Sequence, residues 1–246
     1  MISVAMVTYN GMPYVRQQVA SILCQLDEDD ELIISDNGST DGTWNWLQNE
    51  AVSDKRIRPL YYIDQQGIVA NVAHALSKCS GELIFLSDQD DIWLPDRVRT
   101  MSQLFADDPD LLLVQADAEI IDNTGQVIGS SFFELRHCGP GIIKNLYKNT
   151  WQGCSICCRS RLIELVLPFP QMLPMHDMWL GLVAELYGHV QFLPVILLQH
   201  RRHDHNQSSL RRSHWFQVMD WRLRLATALA IKMLQSCHDH RLIKKL

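Results

Sequence analysis

Through the first half of the chain, strand-length apolar runs alternate with segments of helical spacing, and this constrains the fold more than any other feature. The runs are "ISVAMVTY", "ELIIS", "IRPLYYI", "ELIFLS" and "LLLVQAD". Helices are expected between them at residues 13–25, 44–47, 67–78 and 96–106; the third shows Ile68, Val72, Ala75 and Leu76 at helical intervals. Such alternation predicts an α/β fold with a mostly parallel sheet flanked by helices. Beyond Asp122 the pattern is less regular. A strand is expected within 149–158, a helix over 175–187 stopped by Gly188, a strand at "VQFLPVILL", a polar loop at "HRRHDHNQSS" and a helix over 213–235. At 246 residues and 47% hydrophobic, the chain suits one domain with an appendage.

A parallel sheet collects ligands outside the carboxyl ends of its strands. Three polar clusters fall there: Thr8-Tyr9-Asn10, Asp36-Asn37-Gly38 and "SDQDD", with Asp88, Asp90 and Asp91 crowded together. Paired carboxylates of this kind can hold Mg2+ or Mn2+ with positions left for phosphate oxygens. The plain alternative is a solvated acidic loop that caps the next helix. Asp36 is placed to accept from a base or ribose, while Ser39, Thr40 and Asp41 read as an ordinary turn and cap. In "MLPMHDMWLGL", Asp177 is either a first-turn residue facing the helix dipole or a general base for an acceptor hydroxyl. The His and Arg residues of "HRRHDHN" can bind a metal or a diphosphate, or simply face water. The cysteine group "CSICC" has no second pair at finger spacing, so buried thiols are expected there rather than zinc.

Taken in order, these segments resemble the family 2 nucleotide-sugar glycosyltransferases of the GT-A (Rossmann-like) fold, in their bacterial polysaccharide, rhamnosyltransferase-like branch. The resemblance covers residues 1–210. It rests on "VTYN", "DNGSTDGT", "DQQGIVANVAHAL", "SDQDDIWLPDR", "QGC", "HDMWL" and "HRRHDHN". The chain departs from the family pattern at Asn37, where Asp is usual, at Gln66, where Asn is usual nearby, and at His200, where Tyr is usual.

The resemblance implies inverting transfer of a sugar of the rhamnose, galactose or glucose class. The donor would be a nucleotide-diphosphate sugar and the acceptor a lipid-diphosphate-linked saccharide, in O-antigen or capsule synthesis. Mn2+ or Mg2+ would sit on Asp90 and Asp88, with Asp91 nearby and His203 completing the site. Asp177 would be the base. Thr8, Tyr9, Asn10, Asp36, Asp88, Gln66 and Arg201 would contact the donor. The competing reading is a metal-dependent nucleotidyl or phosphoryl transferase, which has no need of His-Asp at an acceptor-side helix.

Charge is unevenly spread. Residues 200–246 hold ten Lys/Arg against three Asp, a net of +7, which leaves −13 for the rest of a chain whose net charge is −6. An acidic body argues against nucleic acid. Residues 211–246 read as a basic amphipathic helical extension, with Val218, Trp221, Leu225, Leu229 and Met233 along one stripe. It either packs on the body or lies on a membrane surface. No apolar run reaches membrane-span length, and "MISVAMVTYNG" reads as a strand rather than a leader. The expectation is a cytoplasmic protein held peripherally on the inner face of the membrane.

Overall fold

The computed structural model describes residues 1–170, 173–203 and 215–243, with side chains on the last helix described for 219–234. The elements run β1 (Ile2–Thr8), α1 (Val15–Leu23), β2 (Glu31–Asp36), α2 (Thr43–Ser53), β3 (Ile57–Tyr61), α3 (Ile68–Leu76), β4 (Leu83–Ser87), β5 (Ile92–Trp93) and α4 (Arg97–Asp107). They continue with β6 (Leu111–Ile121), β7 (Val127–Gly129), α5 (Phe132–Arg136), α6 (Ile142–Tyr147), β8 (Ile156–Arg159), α7 (Ser160–Val166), α8 (His176–Tyr187), β9 (His189–Arg201) and α9 (Trp215–Ile243). The strands form one sheet in the order β3-β2-β1-β4-β8-β6-β9-β5, with β7 against β6.

β3, β2, β1 and β4 are mutually parallel, as the alternation predicts. The order turns back on either side of β1, and that switch point opens a crevice at the carboxyl ends of β1 and β4. β8 runs antiparallel between β4 and β6, so the later half of the sheet is mixed. The strand expected within 149–158 is confined to Ile156–Arg159; Gly153–Ser155 before it form a 3-10 turn. β9 reaches Arg201, so His200 and Arg201 are strand residues rather than part of the polar loop.

Alternate residues of β1 face opposite sides of the sheet. Val4 and Met6 pack with Val15, Val19 and Ile22 of α1 and with Val98, Met101 and Phe105 of α4. Ala5 and Val7 pack with Val72 and Leu76 of α3 and with Leu180 and Val183 of α8. Leu225 and Leu229 of α9 join this second core, and the Tyr187 hydroxyl donates to the Lys232 carbonyl at 3.1 Å. The C-terminal helix therefore packs on the body. Of the expected stripe, Leu225 and Leu229 are buried, but Met233 stays 46% exposed. The Val218 side chain and the proposed boundary at 210/211 lie outside the described residues.

Candidate active site

The donor end of the crevice is built by two loops tied to each other. Thr8 Oγ1 donates to Asp36 Oδ2 at 2.8 Å, and the Asn37 amide donates to the Thr8 carbonyl at 2.9 Å. Asp36 is fully buried, and it also accepts from the amides of Gly38 and Ser39 and from Ser39 Oγ. Its visible role is to hold the β2 loop, through bonds to both of its oxygens. Asn10 is left-handed (φ 51°). Its amide donates to Ser39 Oγ and its Oδ1 accepts from the Thr40 amide, each at 2.8 Å. That leaves the half-exposed Tyr9 ring at the rim.

Asn37, the departure from the family pattern, performs a joining task. Its Nδ2 donates to the carbonyls of Tyr62 and Gln65, and its Oδ1 accepts from the Gly67 amide at 2.9 Å. An Asp there would have no N–H for the two carbonyls. Gln66 is exposed on the loop that Asn37 fixes. Asn71 was not among the expected site residues, yet its Nδ2 bridges the carbonyls of Thr8 and Ser35 beneath the crevice. Gln89, inside the acidic motif, clamps Tyr9 by accepting from its amide at 2.8 Å and donating to its carbonyl at 3.1 Å.

The carboxylates after β4 differ from one another. Asp91 is fully enclosed; its Oδ1 accepts from the Arg201 amide and pairs with His200 Nδ1, both at 3.0 Å. Burial alone would raise its proton affinity, but the His200 charge and hydrogen bond hold it below the usual carboxylate range. His200 is raised in turn: burial opposes its charge, and Asp91 more than restores it. Asp91 thus anchors the turn rather than facing the crevice. Asp90 Oδ2 meets His203 Nε2 at 2.7 Å, and burial with the nearby Asp91 charge raises Asp90. Asp88 is pushed up to about 8, by loss of water first and then by the charges of Asp91 and Asp90.

A crowd of carboxylates this dry fits a cation. Oxygen donors from Asp88 and Asp90 with an imidazole from His203 suit Mn2+ or Mg2+. Behind them, ligand atoms of Asp91, Cys154 and His200 lie within 4.8 Å of one another. Sulfur, nitrogen and oxygen donors are a set that zinc accepts. Here they form a closed hydrogen-bonded tie, and the buried Arg97 guanidinium beside it opposes further positive charge. Arg97 donates to the Cys154 carbonyl at 2.8 Å and lies 4.8 Å over the Trp93 ring; burial lowers it to about 10. Spacing could not have shown this tie, because its members come from three distant segments.

Arg201, expected at the donor, is 3% exposed. Its guanidinium donates to the carbonyls of Asp90 and Asp122 and to Gln17 Oε1, and it stacks 4.7 Å over Tyr14. It braces the Asp90 turn from behind. Tyr14 also stacks on His203, with ring centroids 5.2 Å apart, which fixes the imidazole beside Asp90.

The acceptor end begins with α8. Asp177 Oδ1 accepts from the Met178 amide at 2.6 Å and from Asn149 Nδ2 at 3.5 Å. Burial raises its proton affinity, with the His176 charge opposing, while burial keeps His176 uncharged to lower pH than usual. The Asp177 charge is felt at Asp88, so the helix and the acidic turn address one cleft. Gly153 fits closely under this helix: a Cβ there would sit 2.7 Å from His176 Nε2. This is a physical reason for glycine in "QGC".

A switch-point crevice with an acidic turn on one side and the Asp177 carboxylate on the other fits the GT-A fold. The family model described as Glycosyl transferase family 2 matches residues 3–166, and the chain belongs to that family. Over 178 residues it is 27% identical to an uncharacterised glycosyltransferase of Nostoc sp., covering 68% of this chain and 53% of that protein. It is 24% identical over 191 residues to the UDP-Glc:alpha-D-GlcNAc-diphosphoundecaprenol beta-1,3-glucosyltransferase WfgD of Escherichia coli, covering 75% and 70%. The chain spans about half the length of the curated relatives it matches. Among solved structures, S. aureus TarS 1-349 in complex with UDP-GlcNAc superposes with TM-score 0.71 at 16% identity, covering 95% of this chain and 66% of that one. The mannosyltransferase PcManGT of Pyrobaculum calidifontis, in complex with GDP-Man and Mn2+, gives 0.61 at 18%, covering 96% and 64%. These likenesses support the fold.

Proposed function

We propose that this chain is a metal-dependent inverting glycosyltransferase. It moves a hexose or deoxyhexose from a nucleotide-diphosphate sugar to a lipid-diphosphate-linked saccharide in bacterial surface polysaccharide synthesis. The observation that carries this reading is the placing of Asp177, at the start of α8, within reach of the charge of the Asp88/Asp90 turn. The bound nucleotide sugars of TarS and PcManGT, and the lipid-linked acceptor in the name of WfgD, agree with it.

Asp88, Asp90 and His203 would hold Mn2+ or Mg2+, which when bound offsets the charge on the departing nucleoside diphosphate. Tyr9 and Asn10 border the donor. Asp177 accepts the proton of the acceptor hydroxyl as that oxygen attacks the anomeric carbon from the face opposite the diphosphate. Enclosure makes Asp177 a stronger base than a solvated Asp. Asn149 and the Met178 amide hold one of its oxygens, which orients the other. The protein would act in the cytoplasm, peripherally on the inner face of the membrane; none of its described helices is long and apolar enough to cross one.

The test is a panel of nucleotide sugars incubated with the protein, Mn2+ and a lipid-diphosphate-linked acceptor. Nucleoside diphosphate release that depends on the sugar, the metal and the acceptor is expected. Release of inorganic phosphate or pyrophosphate instead would point to phosphoryl or nucleotidyl transfer and sink the proposal.

A further inference from the structure

We propose that the outer face of α9, with the adjoining edge of α6, docks this chain on an anionic phospholipid surface beside the acceptor end of the cleft. The proposal rests on the reading of the site as a transferase with a lipid-linked acceptor.

α9 is apolar on two faces. Leu225 and Leu229 face the body and are 1% and 4% exposed. Residues 219, 223, 226, 230 and 233 follow one another at intervals of four and three, so they share another face of the helix. On it Met219 is 55% exposed and Leu223 69%. The Arg222 guanidinium lies 5.3 Å over the Tyr147 ring, which brings the edge of α6 against α9. There Tyr147 and Ile143 are 75% and 85% exposed. Single exposed apolar side chains need no explanation, but a group contributed by two packed helices marks an interaction surface.

Charge selects the occupant. Lys144 lies on α6, Lys148 follows its last residue and Arg222 lies on α9, while Arg224 and Asp220, paired at 2.7 Å, offset each other. A second copy docked here would bring like charges together. An anionic headgroup layer gains from them, while the apolar side chains enter the interface. The position also suits the chemistry. α6 ends at Tyr147, and two residues on, Asn149 donates to Asp177. A bilayer on this face would present an acceptor headgroup at the proposed base.

The experiment is co-sedimentation of the full chain with vesicles of equal parts phosphatidylglycerol and phosphatidylcholine at low ionic strength. Binding is expected there, with loss on phosphatidylcholine alone and on adding salt. Leu223→Glu and Met219→Glu should each weaken it about tenfold, with thermal unfolding unchanged. Val52→Glu, at an 87% exposed position on α2, should leave binding intact. Full binding by both α9 variants would overturn the proposal, as would no binding by the wild type. A stable dimer in solution that ignores vesicles would overturn it too, and would assign the face to a second copy. Metal-dependent nucleoside diphosphate release, measured on the same preparations with a soluble acceptor, separates the two readings. Release without vesicle binding defeats the docking surface alone; vesicle binding without release defeats the transferase reading and leaves the surface.

Discussion

The two ends of the cleft are held by different forces. At the donor end, Thr8, Asn10, Asp36, Asn37, Ser39 and Asn71 are tied by short hydrogen bonds within and between neighbouring loops. At the chemistry end, Asp88, Asp90, Asp91, Asp177 and His200 are ionisable groups crowded together, with proton affinities displaced by loss of water and by one another. The first kind of order gives shape and tolerates small losses. The second stores unfavourable charge that a cation and a proton transfer can relieve, so single changes there should act on rate far more than on shape.

The sharpest break in this contrast should be Asp90→Ala. Transfer is expected to fall about 1000-fold, since a catalytic cation stabilises the transition state by several kcal/mol. Far-UV circular dichroism should be unchanged, and calorimetric titration should show Mn2+ affinity lost. Full activity in metal-buffered assays would remove the cation from this turn.

Asp177→Asn should lower kcat by about 100-fold or more, the ordinary contribution of a general base. The wild-type rate should fall with acid over a range above that of a normal Asp, because burial raises the folded pKa and only the ionised form accepts a proton. The acid limb of the pH–kcat profile should be absent in the Asn variant.

At the donor end the losses should be smaller and of another kind. Asp36→Ala strands the Thr8 hydroxyl and two loop amides, a cost of about 1 to 3 kcal/mol for each buried group left unpaired. The expectation is a lower melting temperature and a donor KM raised about tenfold, with kcat changed less; a fall in kcat alone would contradict the division. Gly153→Ala, which crowds the movable tip of His176, should reduce kcat only about threefold, since small displacements of a positioned base cost modestly.

Charge storage also predicts a pH effect on the metal-free protein. The folded chain holds a proton on Asp88 to about pH 8, while the unfolded chain loses it in the usual carboxylate range. Stability should therefore decline as pH rises between those limits, and Mn2+ should reverse the decline. Thermal unfolding at pH 6 and 8, with and without the ion, checks this.

The donor half is the more legible half in sequence. Its strands, helices and strand-end clusters follow from local periodicity, and "DNGSTDGT" already looks like a turn and cap. The α2 helix runs further, to Ser53, than its apolar spacing indicates, because Glu50 and Asn49 give no hydrophobic signal. The acceptor half is harder to read. β8 enters the sheet antiparallel from a short run with no alternation. The Asp91–His200–Cys154 tie joins residues as many as 109 positions apart, so no local pattern carries it. Arg201 reads as a donor ligand by its neighbours in the motif, and only the fold shows it turned inward. α9 was legible as an amphipathic helix, but which of its faces meets the body is decided by Leu225 and Leu229 against α8.

The most direct test of this account is single-turnover transfer by Asp177→Asn beside its donor dissociation constant, both with Mn2+ present. Donor binding is expected within about twofold of wild type, because the base touches the acceptor proton and not the donor, while the transfer step slows about 100-fold. Weakened donor binding with an unchanged transfer step would contradict it, and would move Asp177 from the chemistry to the donor site.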